Sequence, residues 1–387
     1  MKEFDYLGEG EVYLDGACQS LRPRCVIDAI DRYYTEHNSC GERVKYKWGV
    51  ETDEKVEETR ELVLKYLGLK PKKYTVSFTL NTTYGINLIL SQIDAGKFSK
   101  VMTSEIEHNS PFLGTMAFSK RTGLPREVMA RNEDGSIELD DYDFERAIVV
   151  VNCASNFDGR KLGNIKELAK AVHKAGGIII IDAAQAMAHS VDVIYGVEVD
   201  AICFSAHKLY APSLGVIVWR DELNECLEPW WLGGGMVDDV EKNSFVLSAE
   251  GKEHRYTRFE SGLQAWGEIV GLGASLKWLM KVSKSDWREF ESNYTDLYEF
   301  LAESDKVHMI NNVANPTMSF YVEGMDSHLL GAALSREGIM ARTGYFCAHY
   351  YLDHVLKMPP LIRFSLGLHN RASDIDKVKK VMEKIIY

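Results

Sequence analysis

The sequence lacks any apolar run close to the roughly 20 residues that a membrane-spanning helix needs. Its first residues, 1–6, include acids where a signal peptide would have an apolar core. No concentrated basic patch is visible and the formal net charge is −12, which argues against binding to nucleic acid or to an anionic membrane surface. We therefore expect a soluble, cytoplasmic protein.

The chain also lacks the cysteine patterns of disulfide scaffolds and zinc sites. Its seven cysteines are an odd number without a C-x-x-C pair, and no Cys/His cluster has zinc-like spacing. These features predict a reducing compartment and no bound metal. With 387 residues, of which 45% are hydrophobic, the chain is long enough for two domains, one of which can combine both chain ends.

The middle of the chain has the pattern of a β-α-β unit. An apolar run at 147–151 precedes helically spaced apolar residues at 165–172, and a second apolar run follows at 178–181 after a Gly-Gly pair. Further strands are predicted at 214–219 and 75–78. Because the strand segments are continuously apolar, we expect a parallel sheet covered on both faces, where ligands bind at the carboxyl ends of strands.

Two charged residues follow such strands. Asp182 ends the run at 178–181, and Lys208 comes shortly after the apolar segment 201–204. A lysine that forms a Schiff base, with a carboxylate that keeps a pyridine nitrogen protonated, is what pyridoxal 5′-phosphate (PLP) requires. Either residue alone is more often a solvated charge or a helix cap, but the pair predicts a PLP site.

The phosphate of such a cofactor needs backbone N–H groups and hydroxyls at the start of a helix. Thr82 and Thr83 precede an apolar-periodic segment and meet this need, although an ordinary N-cap would have the same pattern. Ser205 and His207, close to the lysine, could supply the other half of a phosphate cup. His108 could stack on the cofactor ring, with a surface or core histidine as the alternative.

Motifs in a characteristic order extend over almost the whole chain. They are Y-L-D-G-A at 13–17, Thr82-Thr83, Glu107-His108, Ser155-Asn156, D-A-A-Q at 182–185, S-A-H-K at 205–208, R-T-G-Y-F-C-A at 342–348 and I-R-F-S-L at 362–366. Together they resemble the class V aminotransferase group of fold-type I PLP enzymes, and specifically the cysteine desulfurase and selenocysteine lyase family of the SufS type (group II). The A-x-Q and S-x-H-K pieces are specific for the fold, and R-x-G-x-x-C is specific for the subgroup.

The resemblance implies a fold-type I α/β architecture. A large PLP-binding domain at roughly residues 20–265 would contain a mainly parallel seven-stranded sheet, and residues 266–387, joined by 1–19, would form a small α+β domain. It also implies a homodimer with the active site near the subunit interface. The Trp-Trp-Leu-Gly-Gly-Gly run at 230–235 is a candidate interface or lid segment, or else an ordinary glycine-rich loop.

The same resemblance implies a role for each matching position. Lys208 would carry the Schiff base, Asp182 would pair with the pyridine nitrogen, His108 would stack on the ring, Gln185 and Asn156 would lie near the 3′-oxygen, and Thr82, Thr83, Ser205 and His207 would hold the phosphate. Arg363 would bind the substrate carboxylate, which its guanidinium fork can meet with two hydrogen bonds. Arg342 and Asn156 are also expected at the substrate.

The expected catalytic residues are Lys208, Cys347 and His108, and the specific activity depends on Cys347. A thiolate there would take the sulfur of L-cysteine as a persulfide and leave L-alanine, supplying sulfur through an acceptor protein to Fe–S cluster or thio-cofactor assembly. Arg342 could add positive charge near this thiolate. Another PLP reaction (selenocysteine lyase, C–S lyase, epimerase or aminotransferase) is the alternative, and a noncatalytic sulfur-carrier subunit is the third hypothesis.

Some positions depart from the family pattern. Tyr345-Phe346 replace two histidines before the expected reactive cysteine, and Leu263 replaces a threonine that would reach the neighbouring subunit's phosphate, with Gln264 as a candidate substitute. The segment 37–41 lacks the usual histidine-arginine pattern, and Cys40 within it could be a second thiol near the site. Residues 156–160 are similar to an insertion of the molybdenum-cofactor sulfurase branch.

Overall fold

The structure of the chain, a computed structural model, describes residues 2–41 and 44–386. Its strands are β1 (Val12–Tyr13), β2 (Tyr74–Thr79), β3 (Lys100–Ser104), β4 (Arg126–Met129), β5 (Ala147–Asn152), β6 (Ile178–Asp182), β7 (Ala201–Ser205), β8 (Gly215–Arg220), β9 (Val237–Val240), β10 (Phe245–Leu247), β11 (Val307–Met309), β12 (Thr317–Val322), β13 (Ile339–Met340), β14 (Arg342–Gly344) and β15 (Leu361–Ser365). Its α-helices are α1 (Arg24–Glu36), α2 (Lys47–Leu67), α3 (Thr82–Gln92), α4 (Asn109–Thr122), α5 (Ile165–Lys174), α6 (Ala186–His189), α7 (Trp266–Leu279), α8 (Lys284–Ala302), α9 (Ser327–Arg336) and α10 (Ala372–Ile386). None of these helices has the length and apolar character to cross a membrane, within the residues that the structure describes.

A seven-stranded sheet with the order β2-β8-β7-β6-β5-β3-β4 forms the centre of the molecule. Strands β7, β6, β5, β3 and β4 pair in parallel, whereas β8 runs antiparallel to both of its neighbours. This arrangement confirms the predicted α/β fold with a mainly parallel seven-stranded sheet. The strand predicted at 214–219 is the antiparallel member, observed as β8.

Both faces of this sheet are covered. Val149 and Val151 of β5 pack in one hydrophobic cluster, and their neighbours Ile148 and Val150 pack in another. Side chains alternate between the two faces of a strand, so a strand with a core on each side needs apolar residues at every position. Burial of both faces of the sheet therefore explains the continuous apolar runs in the sequence. Cys203, on β7, is fully buried in the second cluster.

A four-stranded antiparallel sheet with the order β11-β12-β15-β14 lies in the C-terminal part of the chain. The first residues pack onto this part of the chain, because β1 forms a separate two-stranded parallel sheet with β13 and Asp15 forms a bridge with Ser365 of β15. Arg342 and Arg363 are direct partners across β14 and β15. Asp15 and these two arginines therefore come together, while the domain boundaries at 19/20 and 265/266 stay a prediction.

Candidate active site

A cavity of about 320 Å³ opens beside the carboxyl ends of β6 and β7. Asp182 is the last residue of β6, and Lys208 lies in a 3₁₀ turn directly after β7. The cavity is lined by every residue predicted for the site, namely Thr82, Thr83, His108, Asn156, Asp182, Gln185, Ser205, His207, Lys208, Arg342, Cys347 and Arg363. The structure thus brings the predicted residues together, and their individual roles stay proposals.

Asp182 and Lys208 form the charged centre of the cavity. Asp182 is 4% exposed and its Oδ1 accepts a hydrogen bond of 2.9 Å from the Ala184 N–H. Burial raises the pKa of Asp182, although the Ala184 bond and the charge of Lys208 oppose this. Burial likewise lowers the pKa of Lys208, against the charge of Asp182. A lysine with a lowered pKa has more of the neutral amine that attacks a carbonyl carbon.

The start of α3 faces the same cavity. The N–H of Thr82 donates to Ser205 Oγ over 2.9 Å, and the hydroxyls of the two residues are 2.6 Å apart. These bonds join the end of β7 to the first turn of α3. Thr83 Oγ1 lies 2.6 Å from Ser110 Oγ. Because N–H groups of a first helical turn have no partner within the helix, this corner is suited to an anion such as phosphate.

His207 and His108 are neutral near physiological pH. Burial, together with the charges of Lys208 and Arg22, lowers the pKa of His207 to about 4. Burial and the charges of Lys208 and Arg363 lower the pKa of His108 to about 3. Nδ1 of His108 accepts a hydrogen bond of 3.1 Å from the Ser110 N–H at the start of α4, which leaves the proton on Nε2. An uncharged ring of fixed orientation is suited to stacking on an aromatic cofactor.

Arg363 is buried, with 3% of its side chain exposed. It donates from Nη1 to the Asn156 carbonyl over 2.8 Å and from Nη2 to Asp15 Oδ1 over 3.0 Å. Its Nε has no hydrogen-bond partner among the described residues, and neither has Asn156 Oδ1, which is also buried. Unpaired buried polar atoms are costly, and these two line the cavity, so they indicate a bound polar group.

Arg342 lines the cavity together with Cys347, as the sequence predicted. Its Nη2 donates to Asp15 Oδ2 over 2.8 Å and to Cys18 Sγ over 2.7 Å, and its expected effect on Cys347 stays a prediction. Asp15 is therefore shared between Arg342 and Arg363. Sequence reasoning noted Asp15 only as part of a motif and did not consider Cys18, although Cys18 directly follows that motif.

Cys347 lies on a loop over the cavity. Phe346 and Cys347 have left-handed backbone angles, with φ of 50° and 59°, and Cys347 is exposed. The Asn109 N–H donates to the Cys347 carbonyl over 2.6 Å, so the loop is anchored at this point. The Phe346 ring lies 4.8 Å from the Arg363 guanidinium. The replacement of a histidine by Phe346 thus gives an apolar cover for this arginine.

Of the other departures, Asn156 of the segment 156–160 lines this cavity, whereas Leu263 and Gln264 are not among the described residues that do. Cys40 is exposed and is not among the described residues that line it either, so the second thiol of the cavity is Cys18. Leu263 is 77% exposed, and Gln264 donates to the Gly262 carbonyl over 3.1 Å. Among the cavity residues that the sequence did not indicate are also Ser110 and Asn152, which have no motif of their own.

The donor set fits the cofactor predicted from the sequence. A phosphorylated pyridine aldehyde needs an amine for its aldehyde, a carboxylate for its ring nitrogen and N–H and O–H donors for its phosphate. Lys208, Asp182 and the start of α3 with Ser205 supply these groups around one cavity. Among the described residues, Lys208 is the cation that acts on the buried Asp182 carboxylate, and a protonated pyridine nitrogen would provide a second one.

Comparisons with known proteins agree with this geometry. The family model described as aminotransferase class-V matches residues 12–378. A protein of Vibrio cholerae named probable cysteine desulfurase is 26% identical, over 98% of this chain and 94% of the relative. The apo structure of a cysteine desulfurase from Thermococcus onnurineus NA1 superimposes with a TM-score of 0.86 at 26% identity, covering 98% of this chain and 95% of that chain. The cysteine desulfurase CsdA from Escherichia coli has a TM-score of 0.89, 99% and 96% coverage and 24% identity, which shows a common fold.

Proposed function

The chain belongs to the class-V aminotransferase family, and on this premise we propose that it is a PLP-dependent cysteine desulfurase. L-Cysteine and the thiol of Cys347 are converted to L-alanine and a persulfide on Cys347. The observation that carries the proposal is the single cavity in which Asp182 and Lys208, the buried Arg363 and the exposed Cys347 meet. The relatives named cysteine desulfurase support the choice of reaction.

PLP is the proposed cofactor. When bound, it withdraws electrons from a carbanion at the substrate Cα. Lys208 would bind it covalently and move the Cα proton, and Asp182 would keep its ring nitrogen protonated. His108 would stack on the ring, while Thr82, Thr83, Ser205 and His207 would hold the phosphate. Gln185 lies at the same cavity but donates from Nε2 to the Ala17 carbonyl over 2.8 Å, so it would approach the 3′-oxygen with its remaining hydrogen-bonding capacity.

Substrate binding and sulfur transfer use the other side of the cavity. The Nε of Arg363 and Asn156 Oδ1 have no partner in the part of the chain that the structure describes, so Nε can donate to the substrate carboxylate and Oδ1 can accept from the substrate. Asp15 holds Arg363 in place through Nη2. Because Cys347 is exposed, the sulfur it receives can pass on to an acceptor protein for Fe–S cluster or thio-cofactor assembly.

The quaternary state and location are part of the proposal. Large apolar side chains are exposed in the segment 230–263, among them Trp230 at 73%, Trp231 at 53% and Leu263 at 77%. Such a patch supports a homodimer. All seven cysteines are free, which supports a reducing compartment such as the cytoplasm.

The test measures alanine and sulfide released from L-cysteine in the presence of a reductant. We expect the PLP-loaded protein to release both in equal amounts and the Cys347→Ala variant to lose this release. Borohydride reduction of both proteins should attach PLP to the Lys208 peptide, which checks that the variant still holds the cofactor. If the variant retains activity, another PLP reaction of the family replaces this proposal, and if no PLP attaches to Lys208, a noncatalytic role replaces it.

A further inference from the structure

Two thiols share the proposed active-site cavity. Cys18 and Cys347 both line it, and both are near enough to Lys208 to interact with it electrostatically. Both are therefore close to the amine where the chemistry is centred. Cys18 is half-buried, whereas Cys347 is exposed, so Cys18 is the inner thiol and Cys347 the outer one.

The surroundings of Cys18 are suited to a sulfur anion. The guanidinium of Arg342 contacts its Sγ at 2.7 Å, and the charges of Arg363 and Lys208 also act on it. Asp15 and Tyr13 lie nearby as acidic groups, but Asp15 is already paired with Arg342. Positive charge at this contact would stabilise the terminal anion of a persulfide held there.

The cavity around the two thiols also has unmet polar groups. Arg363 is 3% exposed, and its Nε has no hydrogen-bond partner among the described residues. The buried Asn156 Oδ1 also has no hydrogen-bond partner among them. Both atoms belong to residues that line the cavity together with Cys18. Cys18 thus lines a cavity whose unpaired polar atoms indicate a bound ligand. Its contact with Arg342 therefore lies at a binding site and not in a closed core.

We propose that Cys18 is a second sulfur-carrying residue, which takes the outer sulfur atom from the persulfide of Cys347. The step rests on the proposed desulfurase function. The Cys18 thiolate attacks the outer sulfur, the bond from that sulfur to Cys347 Sγ breaks, and Cys347 leaves as a thiolate. No oxidant is needed, because one persulfide replaces another. The sulfur is then held against Arg342, and Cys347 is free for a second turnover.

The experiment locates the sulfur after a reaction with excess L-cysteine and no reductant. Free thiols and persulfides are alkylated, and peptide mass spectrometry identifies cysteines that carry an additional sulfur, while alanine is measured in the same sample. We expect the additional sulfur on both Cys18 and Cys347 and a twofold larger alanine burst than in the Cys18→Ser variant. That variant should carry sulfur on Cys347 only, and the Cys347→Ser variant should carry none on Cys18.

The matched control is Cys25→Ser, which changes a half-buried cysteine that is not among the described cavity residues and should behave as wild type. Sulfur on Cys347 alone, with equal bursts in wild type and Cys18→Ser, would overturn the inference and leave the desulfurase function intact. Sulfur on Cys18 of the Cys347→Ser variant would overturn the transfer from Cys347. If neither alanine nor additional sulfur forms, the proposed function itself is wrong and this inference falls with it.

A second measurement does not depend on turnover. Diamide, an oxidant of neighbouring thiols, should link Cys18 to Cys347 as a disulfide in the wild type and in Cys25→Ser. The linked peptide should be absent from Cys18→Ser and Cys18→Ala. If the two thiols react with the alkylating agent but never form the disulfide, they do not meet and the proposed transfer is excluded.

Discussion

In the proposed function, Arg363 combines a structural and a substrate-binding role in one side chain. Its Nη1 and Nη2 each donate one hydrogen bond, to the Asn156 carbonyl and to Asp15, and its Nε has no partner among the described residues, so Nε and the second N–H of each Nη are left for a ligand. The sequence predicted the role of this arginine from its apolar neighbours and the family resemblance. It could not predict the anion beside it, because Asp15 is 348 positions away and reaches Arg363 only through the pairing of both chain ends.

The Arg363→Lys variant tests this division of roles. A lysine keeps the positive charge but has one nitrogen, so it cannot hold Asp15 and Asn156 and still meet a carboxylate with fixed geometry. We expect KM for L-cysteine to rise by about 10- to 100-fold with a smaller change in kcat. Steady-state alanine formation measures both constants. Arg220→Lys, at the end of β8, is the matched control, and an unchanged KM in Arg363→Lys would contradict the assignment.

The position of Cys18 in the cavity could not be predicted from the sequence. Sequence reasoning selected Cys40 as a candidate second thiol from its place near a motif, whereas the structure has Cys18 in the cavity. For a single cysteine that follows a strand, neither hydrophobic periodicity nor motif spacing shows whether its side chain lines a cavity or packs in the core. Its contact with Arg342 joins residues 324 positions apart, and such a contact follows from the tertiary fold.

At the scale of secondary-structure elements, the sequence predicts where the strands lie but not that β8 runs antiparallel to its neighbours. The apolar runs located β5 and β6 closely, since strands buried on both faces need apolar residues throughout. The same pattern occurs in β8, which is antiparallel to its neighbours. Burial on both faces produces the pattern whatever the direction of the strand, so the sequence carries no signal for this difference.

The junction between β7 and α3 gives a prediction for the phosphate cup. Ser205 Oγ accepts from the Thr82 N–H and lies next to its hydroxyl, so Ser205→Ala removes a donor and loosens the first turn of α3. We expect the Kd for PLP to rise by about tenfold, equivalent to about 1.4 kcal/mol, in a titration of the apo protein. Ser91→Ala, which removes a hydroxyl bound to the Leu88 carbonyl within α3, should leave the Kd unchanged. Equal affinities in Ser205→Ala and wild type would exclude this serine from the cup.

At the scale of the whole molecule, the exposed apolar patch at 230–263 predicts the oligomeric state. We expect light scattering to give twice the chain mass of 43.8 kDa for the wild type. Trp231→Arg places a charge in the patch and should shift the mass toward that of one chain. Val313→Arg changes a side chain that is 69% exposed in another part of the surface and should remain dimeric. A monomeric wild type would rule out the dimer.

The two ends of the chain meet at His369, and this contact makes the stability depend on pH. His369 is 5% exposed, lies 2.9 Å from the Tyr13 carbonyl through Nε2 and packs edge-on against Phe4. Burial lowers its pKa to about 4, although the Tyr13 bond and Asp374 oppose this. The unfolded chain therefore binds a proton at this histidine below about pH 6.5, whereas the folded chain does not until about pH 4. Acidification through this window favours the unfolded state.

The His369→Gln variant removes this titration while its amide can still donate to Tyr13. Relative to the variant, the wild type should lose free energy of unfolding by about 1.4 kcal/mol for each pH unit between about 6.5 and 4. Urea unfolding at several pH values measures the difference, in which the contributions of all other titrating groups cancel. His308→Gln alters a histidine with 43% of its side chain exposed and should follow the wild type. If the free energy of unfolding of the wild type and of His369→Gln changes in parallel with pH, protonation of His369 has no free-energy cost in the folded chain. The junction of the two chain ends would then be open to water.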